Sequence, residues 1–359
     1  MAALLAAVFC LSLCACSHPE AETRDVLSLW YTADSPLATS VERLAAEYNA
    51  TLSGDLPELS LRAFADEEAL SAAFEITRPD LLLCSHLRAF ELYGRGALRS
   101  PDAGPAYSEA LRLYSPCVGE SYFPLGFLAP LLYAREDALG ESGPEDLQAL
   151  LSLAGDYGRE NRVPFLTADS FSALLYDMML CLGSELHGLR AKDLSNRDYG
   201  TAYNLLAGAA YWDGLTATDH PAAALVQSGY LPCAVVSSPA LLGAEQEGYQ
   251  ILPLPRLRGG TYLAMAEGLA VTAPEGRSLR GAAAFLTWLA ENGRISSLAL
   301  EAGLVPAADV GAEAADPLSA ALVRMARSWE AHLPVPGCDW LQNREALEES
   351  LRQAIELLN

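Results

Sequence analysis

The chain has 359 residues, of which 51% are hydrophobic and 19% are charged, so it can bury two sizeable cores and its bulk is not disordered. Its 23 Lys and Arg residues stand against 46 Asp and Glu residues, which gives a formal net charge of −23. A surface of this charge repels nucleic acid and anionic lipid, and no basic cluster relieves it, so we expect no nucleic-acid partner.

The N-terminus opens with a short apolar segment. Residues 2–13 are too few to span a bilayer as a stable helix, and no later segment is long and apolar enough to do so. Leu13, Ala15 and Cys16 resemble the lipobox of a bacterial lipoprotein signal peptide. The resemblance implies a signal peptide and lipobox at 1–16, lipidation of Cys16, and a tether at 17–25. An ordinary secretory signal cut nearby is the alternative.

The cysteines do not form a recognisable framework. Three of the eight lie in the first 16 residues, and the other five are scattered singly at Cys84, Cys117, Cys181, Cys233 and Cys338. There is no CxxC motif and no spacing typical of a metal site. We expect buried cysteines and no metal, with one disulfide as an alternative.

The first third of the chain alternates between strands and helices. Strands are predicted at 27–32, 59–64 and 80–84, and a helix at about 87–93 ends at Gly94. A further helix follows Asp66, which can cap its N-terminus. This alternation predicts a parallel, doubly wound sheet with right-handed crossovers.

The segment from Tyr122 to Asp137 is predicted to be a hinge. It is apolar and contains Pro124 and Pro130, which favours an extended crossing over a helix. A complete α/β pattern lies on either side of it, as expected where one domain passes to the next.

The α/β pattern starts again after this hinge. A helix is predicted to start at 142–146, with Pro144 in its first turn, and to end near Gly158. The remaining predicted strands are 163–166, 231–237, 249–254 and 268–273, and the remaining helices include 170–182, 199–210, 317–330 and 343–358.

Several collinear motifs carry a family resemblance. They are LSLWYT at 27–32, DLLLCS at 80–85, the hinge from Tyr122 to Tyr133, LPLP at 252–255, EGLAV at 267–271, and the segment from 283–289 to AGLVP at 302–306. Together they resemble the extracellular solute-binding proteins of ABC importers, the family that includes maltose-binding proteins.

The resemblance implies a two-lobe periplasmic-binding-protein fold of type II, in which each lobe is a doubly wound sheet with helices on both faces. The N-terminal lobe would be 26–123 plus 269–308, and the C-terminal lobe 128–262 plus 312–359. Hinge strands would cross near 123–128, 263–269 and 306–312. A ligand would bind between the lobes, and a membrane permease would recognise the closed form.

Candidate ligand-binding residues lie at the carboxyl ends of the predicted strands or beside the hinge. Aromatic faces and carboxylate or hydroxyl acceptors suit a carbohydrate. Each of these side chains has a packing role as its alternative. The candidates are Trp30, Tyr31, Asp34, Ser85, His86, Phe127, Asp169, Phe171, Trp212, Ser237, Tyr262 and Glu267.

Catalysis finds no support in the sequence. GxSxG, HExxH, GxxxxGK[ST] and a GxGxxG after a strand are all missing, and the five histidines are isolated. We therefore expect a monomeric, lipid-anchored extracytoplasmic binding protein without a cofactor, whose partners are a small solute and permease subunits. The alternatives are a ligand-sensing receptor of the same fold, or a binder of an anion, a polyamine or ferric ion.

Overall fold

The computed structural model describes residues 26–52, 56–101, 121–140, 143–182, 197–257, 262–308, 314, 316–328, 331–332 and 339–358. The predicted signal peptide, Cys16 and the tether lie outside these residues, as do Cys117 and Cys338. Within the described residues, no helix combines the length and the apolar character needed to cross a bilayer.

The described strands alternate with helices along most of the chain. The strands are β1 (Val26–Thr32), β2 (Glu58–Phe64), β3 (Leu81–Ser85), β4 (Tyr122–Leu128), β5 (Pro130–Arg135), β6 (Leu166–Ala168), β7 (Cys233–Ser237), β8 (Tyr249–Pro253), β9 (Tyr262–Leu263), β10 (Met265–Val271), β11 (Val305–Pro306) and β12 (Ala331–His332). The helices are α1 (Ala38–Thr51), α2 (Glu67–Ile76), α3 (His86–Gly94), α4 (Glu136–Leu139), α5 (Leu147–Asn161), α6 (Phe171–Cys181), α7 (Arg197–Tyr211), α8 (Ala222–Gln227), α9 (Arg277–Ala290), α10 (Arg294–Glu301), α11 (Pro317–Ser328) and α12 (Asp339–Leu358).

The strands form two large sheets and one small one. The first sheet has the order β11-β4-β10-β3-β1-β2, the second has the order β6-β7-β5-β8, and β9 pairs with β12. Strand β4 ends at Leu128 in the first sheet and β5 begins at Pro130 in the second, so Ala129 is the one residue between these two strands. The predicted extended crossing at this point is confirmed.

The sheets are mixed rather than wholly parallel. Strands β2, β1 and β3 are parallel to one another, as are β6 and β7. In contrast, β10 is antiparallel to both β3 and β4, and β5 is antiparallel to β7 and β8. The prediction of a parallel sheet is therefore wrong for β5 and β10. The chain reaches each of these strands from the other sheet, so the strand starts at the edge where its neighbours end and runs antiparallel to them.

Side-chain caps fix the start of several helices. Asp66 accepts a hydrogen bond from the Ala69 amide at 2.8 Å, which confirms the predicted cap of α2. Asp146 accepts from the Ala149 amide at 2.7 Å, so α5 begins at Leu147 and Pro144 lies before the cap, not in the first turn. The same helix continues past Gly158 to Asn161.

Two of the cysteines lie in the cores of the two sheets. Cys84 in β3 and Cys233 in β7 are both buried free thiols. Burial in apolar surroundings raises the pKa of both thiols, which keeps them protonated. The prediction of buried cysteines is confirmed at these two positions.

Candidate functional site

The carboxyl ends of strands from both sheets meet around Ala129. In the first sheet β4 runs parallel to β3, because both are antiparallel to β10, so Leu128 and Ser85 lie at the same edge. In the second sheet Pro130 pairs with Ser237, which puts the start of β5 beside the end of β7. The two edges therefore face each other across the single connecting residue, where open α/β sheets place their crevices.

A cavity of about 170 Å³ lies at this junction. The connection contributes Leu128, Ala129 and Pro130, and Met265 at the start of β10 completes that side. The second sheet contributes polar groups after its strands. These are Asp169 and Ser170 after β6, Ser237 at the end of β7, and Asp177 on α6.

Asp169 links two segments at the edge of the second sheet, and its carboxylate oxygens can still accept further hydrogen bonds. One carboxylate oxygen accepts from the Ser237 amide at 3.0 Å, and the other accepts from the Ala222 amide at 3.3 Å. Each oxygen retains a lone pair after one such bond. Asp169 is exposed, so it can accept a hydrogen bond from a hydroxyl group in the cavity.

The first edge carries a group of acidic side chains. Asp34 is exposed in the loop after β1, and Glu67 is in the first turn of α2. Glu267 pairs with Ser85 in the β10–β3 ladder and with Gly126 in the β10–β4 ladder. Burial, followed by the negative charges of Glu67 and Asp34, raises the pKa of Glu267 to about 7.

Glu67 has a raised pKa as well. Burial is the largest cause, and the Arg88 guanidinium opposes the rise. Arg88 is engaged with three side chains: Nε lies 3.2 Å from Glu67, one terminal nitrogen lies 3.0 Å from Glu91, and the other donates to Ser71 Oγ at 3.0 Å. The guanidinium nitrogens of Arg88 are therefore engaged with side chains of α2 and α3.

Several predicted ligand-binding residues are part of the core instead. Phe127 and Phe171 are fully buried. Trp30 is buried against Phe64, with ring centroids 5.0 Å apart, while the buried Tyr31 donates to Glu42 at 2.6 Å. Helices and neighbouring strands cover both faces of β1, so alternate residues on either face are enclosed. In this conformation none of the four faces the cavity.

The two polar candidates at the end of β3 have structural partners. Ser85 caps α3 by accepting from the Arg88 amide at 3.4 Å, and it is only partly buried at the edge. His86 is buried, and its Nδ1 accepts from the Ala266 amide at 3.2 Å. This hydrogen bond holds β10 against the start of α3.

Two further candidates are not brought to the cavity. Trp212 follows α7 and packs against α5, where Arg159 lies 5.5 Å from its ring. The chain then pairs at Leu215 with the start of β6, which is the end of that strand opposite to Asp169. Tyr262 belongs to β9 by its backbone, and its side chain lies outside what the structure describes.

The architecture matches solved binding proteins. A cyclo/maltodextrin-binding protein complexed with maltotetraose superposes with a TM-score of 0.72 at 15% identity, covering 93% of each chain. The cyclic alpha-maltosyl-1,6-maltose binding protein of Arthrobacter globiformis gives 0.68 at 14% identity, with 93% of this chain and 96% of the other covered. The spermidine/putrescine ABC transporter substrate-binding protein PotD of Streptococcus pneumoniae gives 0.64 at 13% identity, with 92% and 99% covered.

The chain has the fold of these substrate-binding proteins. At these identities the likeness shows the fold alone. No family model matches the sequence, and no curated protein matches it. The cavity at Ala129 is lined by residues of both large sheets.

Ser170 and Asp177 line the cavity and Glu67 belongs to the acidic group at the first edge, and the sequence analysis named none of the three as a candidate. Glu67 looked like an ordinary acidic residue in the first turn of a helix, and Asp177 lies within a helix that is otherwise apolar. Ser170 was visible only as a helix start, and it caps α6 by accepting from the Ala173 amide at 3.1 Å. What marks all three is that each lies beside the end of a strand. This can be recognised only once the order of the strands in each sheet is known.

Helix α12 supports this edge of the second sheet. Glu348 of α12 accepts from the Ser172 amide at 2.7 Å, from the Phe171 amide at 3.1 Å and from Ser170 Oγ at 3.0 Å. Burial opposes the ionisation of Glu348, but these bonds and Arg352 outweigh it and lower its pKa. The carboxylate thus holds the first turn of α6 next to Asp169.

A larger groove of about 840 Å³ lies away from the strand ends, beside β11. Its walls come from α10, from the start of α11 and from the segment around Leu242. Several of its polar groups bind one another: Ser297 donates to Glu301, Asp316 caps α11 at the Ser319 amide, and Gln246 accepts from the Leu318 amide. The smaller cavity, at the strand ends, is therefore the better candidate site.

Proposed function

We propose that this protein is the substrate-binding lipoprotein of an ABC importer, which captures a carbohydrate between its lobes and delivers it to a membrane permease. The observation that carries the proposal is the cavity at Ala129, where the second sheet presents Asp169, Ser237 and Ser170 and the first sheet contributes Leu128 and Met265. Acceptors and hydroxyls in such a cleft suit a polyhydroxylated solute. The neighbours that bind maltodextrins support the choice of a sugar.

The proposed lobes are discontinuous in sequence. Residues 26–123 and 269–308 form the N-terminal lobe in this proposal, and 128–262 and 312–359 form the C-terminal lobe. Sheet membership supports it, because β4 and β10 lie in one sheet while β5 and β8 lie in the other. The first crossing is accordingly proposed at Ala129, and the return crossing just before Met265.

The remaining parts of the proposal concern location and partners. Cys16 carries the lipid that anchors the monomeric protein on the extracytoplasmic face of the membrane. Residues 17–25 are the tether between this lipid and the folded part of the chain. The closed, ligand-bound form is what the permease subunits recognise, because only a difference in affinity between the open and closed forms can transmit the bound state. No catalytic step is part of this proposal.

The test is a thermal-shift screen of the purified chain against maltodextrins, amino sugars, amino acids and inorganic phosphate. A ligand that binds only the native form raises the melting temperature by mass action, so we expect one sugar class to raise it by several degrees. In the variant Ser237→Ala this shift should shrink, whereas Ser297→Ala, in the groove beside β11, should leave it unchanged. A shift with phosphate or an amino acid, and with no sugar, would refute the carbohydrate proposal.

A further inference from the structure

The start of helix α6 holds a carboxylate, and this carboxylate comes from the chain itself. Glu348 of α12 accepts hydrogen bonds from the Ser172 amide at 2.7 Å and from the Phe171 amide at 3.1 Å. It also accepts from the Ser170 hydroxyl at 3.0 Å. Amides in the first turn of a helix have no carbonyl partner within the helix, and the helix dipole favours an anion beside them. Glu348 therefore occupies a position that suits the carboxylate or phosphate group of a solute.

A fourth donor meets the same carboxylate. The guanidinium of Arg352, one turn further along α12, donates from Nε to Glu348 at 2.9 Å. Arg352 also donates to the Thr218 carbonyl and lies 3.6 Å from Asp219. The Glu348 side chain is only 20% exposed, so these charge-assisted bonds form where there is little water. Backbone amides, a hydroxyl and a guanidinium thus converge on one largely enclosed carboxylate.

This carboxylate adjoins the cavity at Ala129. Ser170, whose hydroxyl donates to Glu348, is one of the residues that line the cavity, and Ala173 is another. The Ala173 amide, which is the third amide of the first turn of α6, donates to Ser170 Oγ at 3.1 Å. All three first-turn amides beside the cavity are therefore bonded to side chains of the protein.

Neighbouring backbone donors of this wall are occupied in the same way. The amides of Ser237 and Ala222 donate to the two oxygens of Asp169. Of the residues that line the cavity, Asp169 and Asp177 are the charged ones. The wall thus offers carboxylate acceptors to a solute, while the amides that could bind an anion are used within the chain.

We infer that Glu348 is a specificity-determining residue of this cavity, because it fills the anion position at α6 and so restricts the solute to one without a negatively charged group. This inference rests on the proposed function and narrows the substrate class of the same site. An anionic group of a solute would have to displace Glu348 from its donors, and before that the two like charges would repel where little water screens them. A neutral polyhydroxylated solute meets no such repulsion, and its hydroxyls can donate to Asp169.

Removal of the carboxylate tests the inference, because the vacated donors should bind an anion from solution. We expect sodium acetate to raise the melting temperature of Glu348→Ala by several degrees, relative to sodium chloride at equal ionic strength and to acetamide, the neutral amide of the same shape. In the wild type acetate and acetamide should act alike. Glu345→Ala removes the same charge from an exposed position of α12, serves as the control, and should behave like the wild type.

A sugar acid tests whether the vacated position opens into the cavity. Glucuronate carries its carboxylate on a ring that needs the space of the cavity, and glucose is its neutral counterpart. By isothermal titration calorimetry, Glu348→Ala should bind glucuronate at least about 10-fold more tightly than the wild type does, because hydrogen bonds to a charged group contribute about that much or more. The affinity for glucose should not rise. Glu348→Ser, which can still accept from one amide, is a second variant and should show the same gain.

The inference is refuted if acetate and acetamide stabilise Glu348→Ala equally, or if the wild type binds glucuronate or inorganic phosphate. It is also refuted if acetate stabilises the variant while its affinity for glucuronate does not rise, because Glu348 would then only cap α6. Failure of both Glu348→Ala and Glu348→Ser to fold in acetate counts against it too, since the free anion should replace the lost carboxylate.

These outcomes are separate from those of the proposed function. A wild type that binds glucuronate refutes the inference and leaves the carbohydrate function standing. A wild type that binds no sugar, together with a gain of glucuronate binding in Glu348→Ala, refutes the carbohydrate function and leaves the role of Glu348 standing.

Discussion

The acidic edge of the first sheet shows how position changes the chemistry of a single residue. Glu267 differs from the many surface glutamates because strands on both sides enclose it and two other carboxylates lie near it. Its pKa of about 7 means that the group takes up a proton near neutral pH. In the unfolded chain the same side chain would titrate near 4.3, so folding and proton binding are linked.

This linkage predicts a pH dependence of stability. The folded pKa lies above the unfolded one, so the contribution of Glu267 is most favourable at low pH and is lost as the pH rises from about 4 to about 7. Between pH 5 and pH 8 the wild type should lose on the order of 2 kcal/mol relative to Glu267→Gln. Urea unfolding of both proteins at the two pH values measures this difference.

The control for this experiment is Glu275→Gln, whose pH dependence should follow that of the wild type. The prediction fails if Glu267→Gln and the wild type lose the same stability between pH 5 and pH 8. That result would mean that water reaches the carboxylate freely in the folded protein.

At single residues the sequence could predict position along the chain but not the direction of the side chain. Asp34, Asp169, Ser237 and Glu267 were chosen because polar residues follow or begin strands, and the structure places all four near strand ends at the edges of the sheets. Trp30 and Phe127 were chosen by the same rule, yet they lie within their strands and face helices or neighbouring strands. Which face is open depends on the helices that cover the sheet, and a single sequence does not give their placement.

At the level of elements, hydrophobic pattern and capping residues were sufficient for most helices. The buried α6 was predicted at 170–182 and lies at Phe171–Cys181, and α3 ends at Gly94 as expected. Strand direction was not recoverable for β5 and β10, because an apolar run of the same composition fits a parallel or an antiparallel neighbour. The extended backbone of this segment was predictable because two prolines disfavour a helix there, while its role as a hinge stays a prediction.

Close packing between helix α5 and the turn after α7 predicts a sharp contrast between two glycines. A Cβ atom at Gly158 would lie 2.3 Å from the Trp212 carbonyl oxygen, whereas a Cβ atom at Gly208 would meet no atom within 4 Å. Gly158→Ala should therefore cost at least about 2 kcal/mol in the free energy of unfolding. Gly208→Ala, in an exposed helical position, should stabilise by about 0.5–1 kcal/mol.

Chemical denaturation of the two variants beside the wild type checks this contrast. Equal stabilities for Gly158→Ala and Gly208→Ala would contradict the packing of α5 on the turn at Trp212. Because this contact lies at the edge of the sheet opposite to the cleft, ligand affinity should be the same in Gly208→Ala and the wild type.

For the whole molecule, the connection through Ala129 predicts how the lobes move. Ala129 is tied to Ser238, whose amide donates to the Ala129 carbonyl at 2.9 Å and whose Oγ accepts from the Ala129 amide at 3.3 Å. A rigid anchor of this kind leaves rotation of one lobe against the other as the available motion. Saturating ligand should then reduce the radius of gyration measured by small-angle X-ray scattering.

The matched comparison is the same titration with a sugar that the thermal screen finds inactive, which should leave the scattering curve unchanged. A ligand that saturates the protein in calorimetry without changing the radius of gyration would contradict closure as the response to binding.

The place of β10 in the first sheet also determines when that sheet can assemble. This strand lies between β3 and β4, yet it is separated from β4 by more than a hundred residues that belong to the second sheet. A nascent chain that ends before Met265 leaves the inner edges of β3 and β4 unpaired, and unpaired edges promote aggregation. Because so distant a contact forms slowly, the unpaired edges of β3 and β4 stay accessible to chaperones until most of the chain has been synthesised.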